Sequence, residues 1–178
     1  MKKLIIDSAH SEIGFKVKHL MISTVKGSFG TFSGSMEGEM DNMTISFNLN
    51  TSSINTNNVD RDNHLKSTDF FDSVNFPTIT FFSTGADINS GVIKGELIIR
   101  GTTKEVTLTC NYNGMSVDPW GNTKHGFEIT GNINRNDFGL TWNSPLETGG
   151  VLVSDIVGLN IDVQMTEVVK ESATQSPE

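Results

Sequence analysis

Met43-Thr44-Ile45-Ser46-Phe47-Asn48-Leu49-Asn50 decides the fold. Four large apolar residues alternate with four polar ones, the period of a strand with one buried and one wet face. The same alternation runs outward in both directions. Upstream, Ile13, Phe15 and Val17 alternate with Glu12, Lys16 and Lys18. The residues from Gly27 to Glu39 hold Phe29, Phe32, Met36 and four glycines, and their spacing slips from two to three, as at a bulge or barrel corner. Downstream, Ile79 and Phe81 resume a strand with Phe82 on the opposite face, and Val92 to Ile99 follows the turn at Asn89-Ser90-Gly91. Val106, Leu108, Cys110 and Tyr112 form another run, then Phe127, Ile129, Gly131 and Ile133. The longest run is Val157, Leu159, Ile161, Val163 and Met165.

About eight strands joined by short turns, with no long helical pattern, predict an all-β antiparallel meander. A sandwich and a barrel both satisfy the alternation. The barrel is favoured because an eight-stranded one removes edge strands and its interior can hold one small ligand.

One stretch departs from this pattern. Asp60 to Asp72 reads D-R-D-N-H-L-K-S-T-D-F-F-D and gathers Arg61, Asp62 and His64 beside Leu65, Phe70 and Phe71. Without Gly, Pro or β-branched residues, its first half predicts a short helical turn between strands. Local rules are often broken where something besides stability was selected. The alternative is a surface loop whose charges pair with one another.

The chain has 178 residues, enough for a single domain with its own core. Thirteen Lys and Arg face 21 Asp and Glu, a formal net charge of −8, which argues against tracking nucleic-acid phosphates. Cys110 is the sole cysteine, so no internal disulfide forms, and its place on an apolar face reads as a buried thiol. The start, M-K-K-L-I-I-D-S, has too short an apolar run for a secretory signal, and no stretch approaches the ~20 apolar residues of a membrane span. These features predict a soluble, cytoplasmic protein without stable membrane insertion. Residues 1–169 are expected to form the domain and 170–178 a disordered tail. His10, His19, His64 and His125 show no metal-site spacing, and no G-x-S-x-G elbow accompanies the serines, so neither metal nor cofactor is expected. Eleven Phe against one Tyr leave two readings of the inward face: a filled core, or an apolar cavity for a greasy ligand.

Six motifs, in order, carry a resemblance: Asp7 to His19 (D-S-A-H-S-E-I-G-F-K-V-K-H), Gly27 to Gly34 (G-S-F-G-T-F-S-G), Ser52 to Asp72, Phe76 to Ser83 (F-P-T-I-T-F-F-S), Gly95 to Leu108, and Asn134 to Asn143 (N-R-N-D-F-G-L-T-W-N). Together they resemble the YceI-like family of polyisoprenoid-binding, lipocalin-like proteins over about Ile5 to Val169. The resemblance implies an extended eight-stranded antiparallel barrel, often a homodimer, with a lengthwise hydrophobic tunnel and no established catalytic machinery. Its ligand would be an isoprenoid-type lipid with a phosphate or quinone-like head, or a fatty amide. Phe15, Val17, Phe29, Phe32, Phe47, Phe81, Leu108, Phe138 and Trp142 would line the tunnel or its mouth. Leu65, Phe70 and Phe71 would close or line one end. Arg61 and His64 would meet a polar head there, with Asp62 orienting one of them, or else tie the segment to the barrel. His10, Ser11 and His19 would supply hydrogen bonds near the same end. Two rivals remain: an enzyme acting on a prenyl or acyl compound through His64 and Asp62, and a scaffold with a solid core.

Overall fold

The computed structural model describes residues 2–147 and 150–169. The expected disordered tail, 170–178, lies outside the described residues. Among the described residues eleven hydrogen-bonded strands follow in order: β1 (Lys2–Ile6), β2 (Glu12–His19), β3 (Ser23–Phe29), β4 (Phe32–Glu39), β5 (Asn42–Asn50), β6 (Ile54–Asn55), β7 (Thr78–Ala86), β8 (Val92–Ile99), β9 (Thr102–Val117), β10 (Thr123–Asn134) and β11 (Val153–Glu167). A helix of two turns, α1 (Val59–Lys66), stands between β6 and β7.

Register reduces these eleven to eight staves. Both β1 and β2 pair with the same edge of β11, β1 through Ile6 opposite Met165 and β2 through Glu12 opposite Asp162. Six steps of chain thus face three, and the excess is taken up by the 3-10 turn Ser8–His10, started by Asp7 accepting from the Ala9 N–H. In the same way β3 and β4 pair with β2 and β1, and β5 and β6 pair with β4 and β3. Each of these first three staves is one bent strand. The remaining five are β7 to β11, each antiparallel to the next. The β1–β11 pairing closes the ring, so the structure is a closed eight-stranded antiparallel barrel. Closure removes the unpaired edges that a sandwich would keep.

The two halves of the interior differ. At the β1 end, Leu4, Met36, Met43, Ile45, Phe127, Val163 and Met165 are each at most 1% exposed and pack into a plug. In the other half, large rings lie over glycines of neighbouring strands. Phe15 sits on Gly27, Phe47 on Gly34 and Phe81 on Gly95, where even a Cβ would strike the ring. Those glycines let the rings lie flat along the wall instead of meeting at the axis. A void remains.

Candidate functional site

The void measures about 190 Å³. That exceeds the ~150 Å³ of an engineered apolar cavity that stays dry and takes up benzene. Its wall draws on β2, β3, β5 and β7 to β11 on the barrel side and on Leu65, Phe70 and Phe71 at the α1 end. None of the plug residues reaches it, so the cavity is blind at the β1 end. The tunnel running the length of the barrel is therefore corrected to a half-length pocket, because methionines and Phe127 fill the rest. The void also rules out the solid core.

Nine of the fourteen candidate residues lie on the wall: Phe15, Val17, Phe29, Phe47, Leu65, Phe70, Phe71, Phe81 and Leu108. Phe32, Arg61, His64, Phe138 and Trp142 do not. Phe138 is buried in the 3-10 turn Arg135–Phe138 after β10 and borders a separate outer cleft with Lys104 and Asp137. Phe32 opens β4 opposite Leu49 and packs on the core from one side.

The segment from α1 to Phe76 covers the open end as a lid. Asn58 caps α1 by accepting from the Arg61 N–H at 3.0 Å, and the chain then folds back on the last turn. The Phe71 N–H donates to Leu65 O, and the Asp72 N–H donates to Ser67 O. This backfold turns Phe70 and Phe71 inward. Phe71 meets Phe29 edge to face, centroids 6.0 Å apart. From the barrel, Arg100 donates to Phe70 O at 2.9 Å, a tie across 30 residues of sequence.

The polar residues of the lid are spent on holding it. Arg61 donates through Nε to Thr56 Oγ1 at 2.8 Å and through Nη2 to Thr56 O at 2.7 Å. The Thr56 hydroxyl and N–H both donate to Asp62 Oδ1, at 2.5 and 2.9 Å. His64 Nε2 lies 2.8 Å from Asp69, and its ring stands edge-on to Phe70 and to Trp142. Trp142 thus braces the lid from outside. Arg61 and His64 are fixed by the intramolecular ties that the sequence left as their alternative role. Asp62 orients Arg61 only through Thr56, and His64 and Asp62 do not converge on a common point.

The residue that sequence reasoning missed is Arg135. Among the described residues it is the only charged one on the cavity wall, and it is 4% exposed. Its guanidinium donates to Leu140 O at 2.6 Å, Trp142 O at 2.8 Å, Ser154 O at 2.9 Å and Val153 O at 3.3 Å. The nearest carboxylate, Asp155, is 4.0 Å away and largely exposed. Burial pulls the Arg135 pKa below its usual value, and Asp155 opposes that shift. Four of its five N–H donors are thereby engaged by backbone carbonyls, and what it presents to the void is chiefly its aliphatic stem. The signal was present: Phe127, Ile129, Gly131, Ile133 and Arg135 share one parity, so the inward face of β10 continues into the arginine.

At the plugged end, buried His125 bridges Tyr112 Oη (2.7 Å to Nδ1) and Glu167 (3.1 Å from Nε2). Burial and, after it, Glu167 raise the Tyr112 pKa. Burial pushes the Cys110 thiol up to about 11, consistent with an inert core thiol. Of the motif residues expected near the lid, His10 and Ser11 stand at this end instead, where Asp7 O accepts from Ser11 Oγ at 2.7 Å. Among the described residues no group of His, Cys, Asp and Glu could hold a metal ion.

A barrel with this stave order and a helical lid invites comparison with known proteins, and the model of the YceI-like domain matches residues 4–165. The chain belongs to the YceI-like family. A UPF0312 protein of Staphylococcus epidermidis is 41% identical over 157 residues, 86% of this chain and 91% of the relative. The crystal structure of a Campylobacter jejuni YceI protein is 32% identical, with a TM-score of 0.69 over 92% of this chain and 96% of that one. A polyisoprenoid binding domain from Saccharophagus degradans shares the YceI-like fold at a TM-score of 0.73, with 12% identity over 93% of this chain and 98% of that one. No helix among the described residues is long and apolar enough to cross a membrane.

Proposed function

We propose that this protein is a non-catalytic carrier that holds a long apolar lipid of isoprenoid type with its tail in the barrel and its head at the lidded end. The observation that carries the reading is the half-length cavity, whose wall is apolar except at Arg135. A chain can enter only from the α1 end, since the plug stops it at the other, and this sets tail inward and head outward. Apolar burial at about 25 cal/mol per Å² is enough for micromolar binding without an ion pair. The Saccharophagus degradans domain, described as polyisoprenoid-binding, supports the isoprenoid class through the shared fold. Catalysis through His64 and Asp62 finds no support in the geometry, as each is committed to a separate partner.

Native mass spectrometry of the purified protein, with organic extraction of whatever is bound, tests the reading. A co-purifying prenyl lipid, or saturable uptake of an added prenyl phosphate or quinone, is the expected result. Protein that emerges empty and takes up neither would overturn it.

A further inference from the structure

The turn between β2 and β3 uses residues that its backbone does not favour. Ile22 N–H donates to His19 O at 3.2 Å, and Leu20 and Met21 between them have φ of 55° and 62°. Two consecutive left-handed residues are the geometry of a type I′ turn, which favours Asn-Gly. Leu-Met occupies it here, and the apolar side chains point into solvent: Met21 is 64% exposed and Ile22 82%. Hairpin stability does not explain that choice.

The flanks are as unusual. From Ile13 to Met36 the chain carries Lys16, Lys18 and Lys26 and no Asp or Glu, in a protein of net charge −8. Lys16 stands directly opposite Lys26, and all three lie on the outer face, since Phe15 and Val17 take the inner one. Like charges opposite one another disfavour the pairing, and none of the three makes an ion pair among the described residues. Along β2 itself the first carboxylate is Glu12, four residues from Lys16, while on β11 the exposed Asp155 stands in the bulge across from Lys18, 4.0 Å from Arg135. Apart from Asp155 on β11, the acids of the open end, Asp60, Asp62, Asp69, Asp72 and Glu147, belong to the lid and the segment leading into β11.

Position completes the pattern. Val17 and Val153 line the cavity, His19 pairs with Val153, and the Leu20 N–H donates to Leu152 O at 2.9 Å. The tip therefore projects from the rim of the mouth. We infer that the β2–β3 tip docks the open end of the barrel reversibly on an anionic bilayer, with Met21 and Ile22 entering the interface and the three lysines facing the anionic head groups. Exchange of lipid between membrane and cavity at that contact rests on the carrier reading above; the docking itself does not.

The test is flotation of the full chain with zwitterionic phosphatidylcholine vesicles and with vesicles containing anionic phosphatidylserine, at low and at raised salt. The expected result is binding to the anionic vesicles that falls with salt. Replacing Lys16, Lys18 and Lys26 by Gln should weaken it roughly 100-fold, at about fivefold per lysine near an anionic surface. Met21→Asn with Ile22→Ser should weaken it at least about tenfold, through lost apolar contact. Asn suits the left-handed backbone, so this variant keeps its fold. Trp120, 83% exposed on the β9–β10 turn at the plugged end, supplies the control. Wild-type protein that stays unbound, hairpin variants that bind as wild type does, or loss of binding only in Trp120→Ser would each overturn the inference. Lipid occupancy measured on the same preparations separates the two readings. An occupied cavity without vesicle binding sinks docking alone, and salt-sensitive docking with a cavity that takes no lipid supports docking and sinks the carrier.

Discussion

Replacing Arg135 by Met tests the construction of the cavity rim. Met nearly matches the aliphatic length of Arg but removes five donors, leaving the carbonyls of Leu140, Trp142, Val153 and Ser154 without the guanidinium. A hydrogen bond to a charged group contributes about 1.5–3 kcal/mol. The three contacts at 2.6–2.9 Å would then sum to roughly 4.5–9 kcal/mol, before two offsets. Carbonyls near the surface recover water, and the variant no longer carries the desolvation cost of a buried cation, several kcal/mol. The net expectation is a loss of about 3 kcal/mol, a large share of a typical 5–15 kcal/mol stability. At this chain length that lowers Tm by roughly 6–12 °C. Urea titration by tryptophan fluorescence is a suitable assay, because Trp142 O accepts from this guanidinium and the ring braces the lid. Hydrogen exchange should locate the loosening in residues 140–146 and 150–155. Arg135→Lys should fall between wild type and Arg135→Met, since an ammonium reaches fewer of the four carbonyls. A midpoint for Arg135→Met within about 0.5 kcal/mol of wild type would refute the claim that this residue organises the rim.

Phe71→Ala opens the lid where Phe71 meets Phe29, so bound lipid should exchange about tenfold faster or more in a fluorescent-prenyl displacement assay; unchanged amount and rate would dismiss the gate. Gly34→Ala places a methyl against the Phe47 ring and drives it toward the void, lowering lipid occupancy in native mass spectra with a stability loss of about 1–3 kcal/mol; wild-type occupancy would count against glycines shaping the cavity. For Asp7, burial acts to raise the pKa, but hydrogen bonds and charge from Lys124 and His10 outweigh it and hold the carboxyl below 3.8. A depressed folded value means stability that is present above the unfolded pKa and lost as pH falls through the folded one. Lys124→Met should therefore move the acid unfolding midpoint upward, read by circular dichroism between about pH 5 and 2, and an unmoved midpoint would contradict the assignment.

Some of this protein was legible along the chain because a strand declares its faces with a period of two. That parity marked the inward residues, and the number of runs together with their short turns pointed to a barrel. The break in parity at Asp60–Asp72 marked the lid. Polar residues were harder to place, because a charge in a sequence does not show its partner. The sequence left Arg61 and His64 between a ligand head and an intramolecular tie, because Thr56 lies five residues before one and Asp69 five after the other, within reach only once α1 and its backfold form. Arg135 showed the reverse: it looked like the start of a loop while occupying the next inward position of β10.

Sequence alone determined the strand pattern, the apolar inward face and the place of the lid, since each depends on neighbours along the chain, and it favoured a barrel that the β1–β11 pairing closes. Tertiary structure decided that three bent staves make eleven strands into eight, that a plug blocks half the interior, and that Arg135 meets the void. Those outcomes depend on what stands across the barrel axis. That is set by the registers of several strands at once and by which ring finds a glycine opposite it.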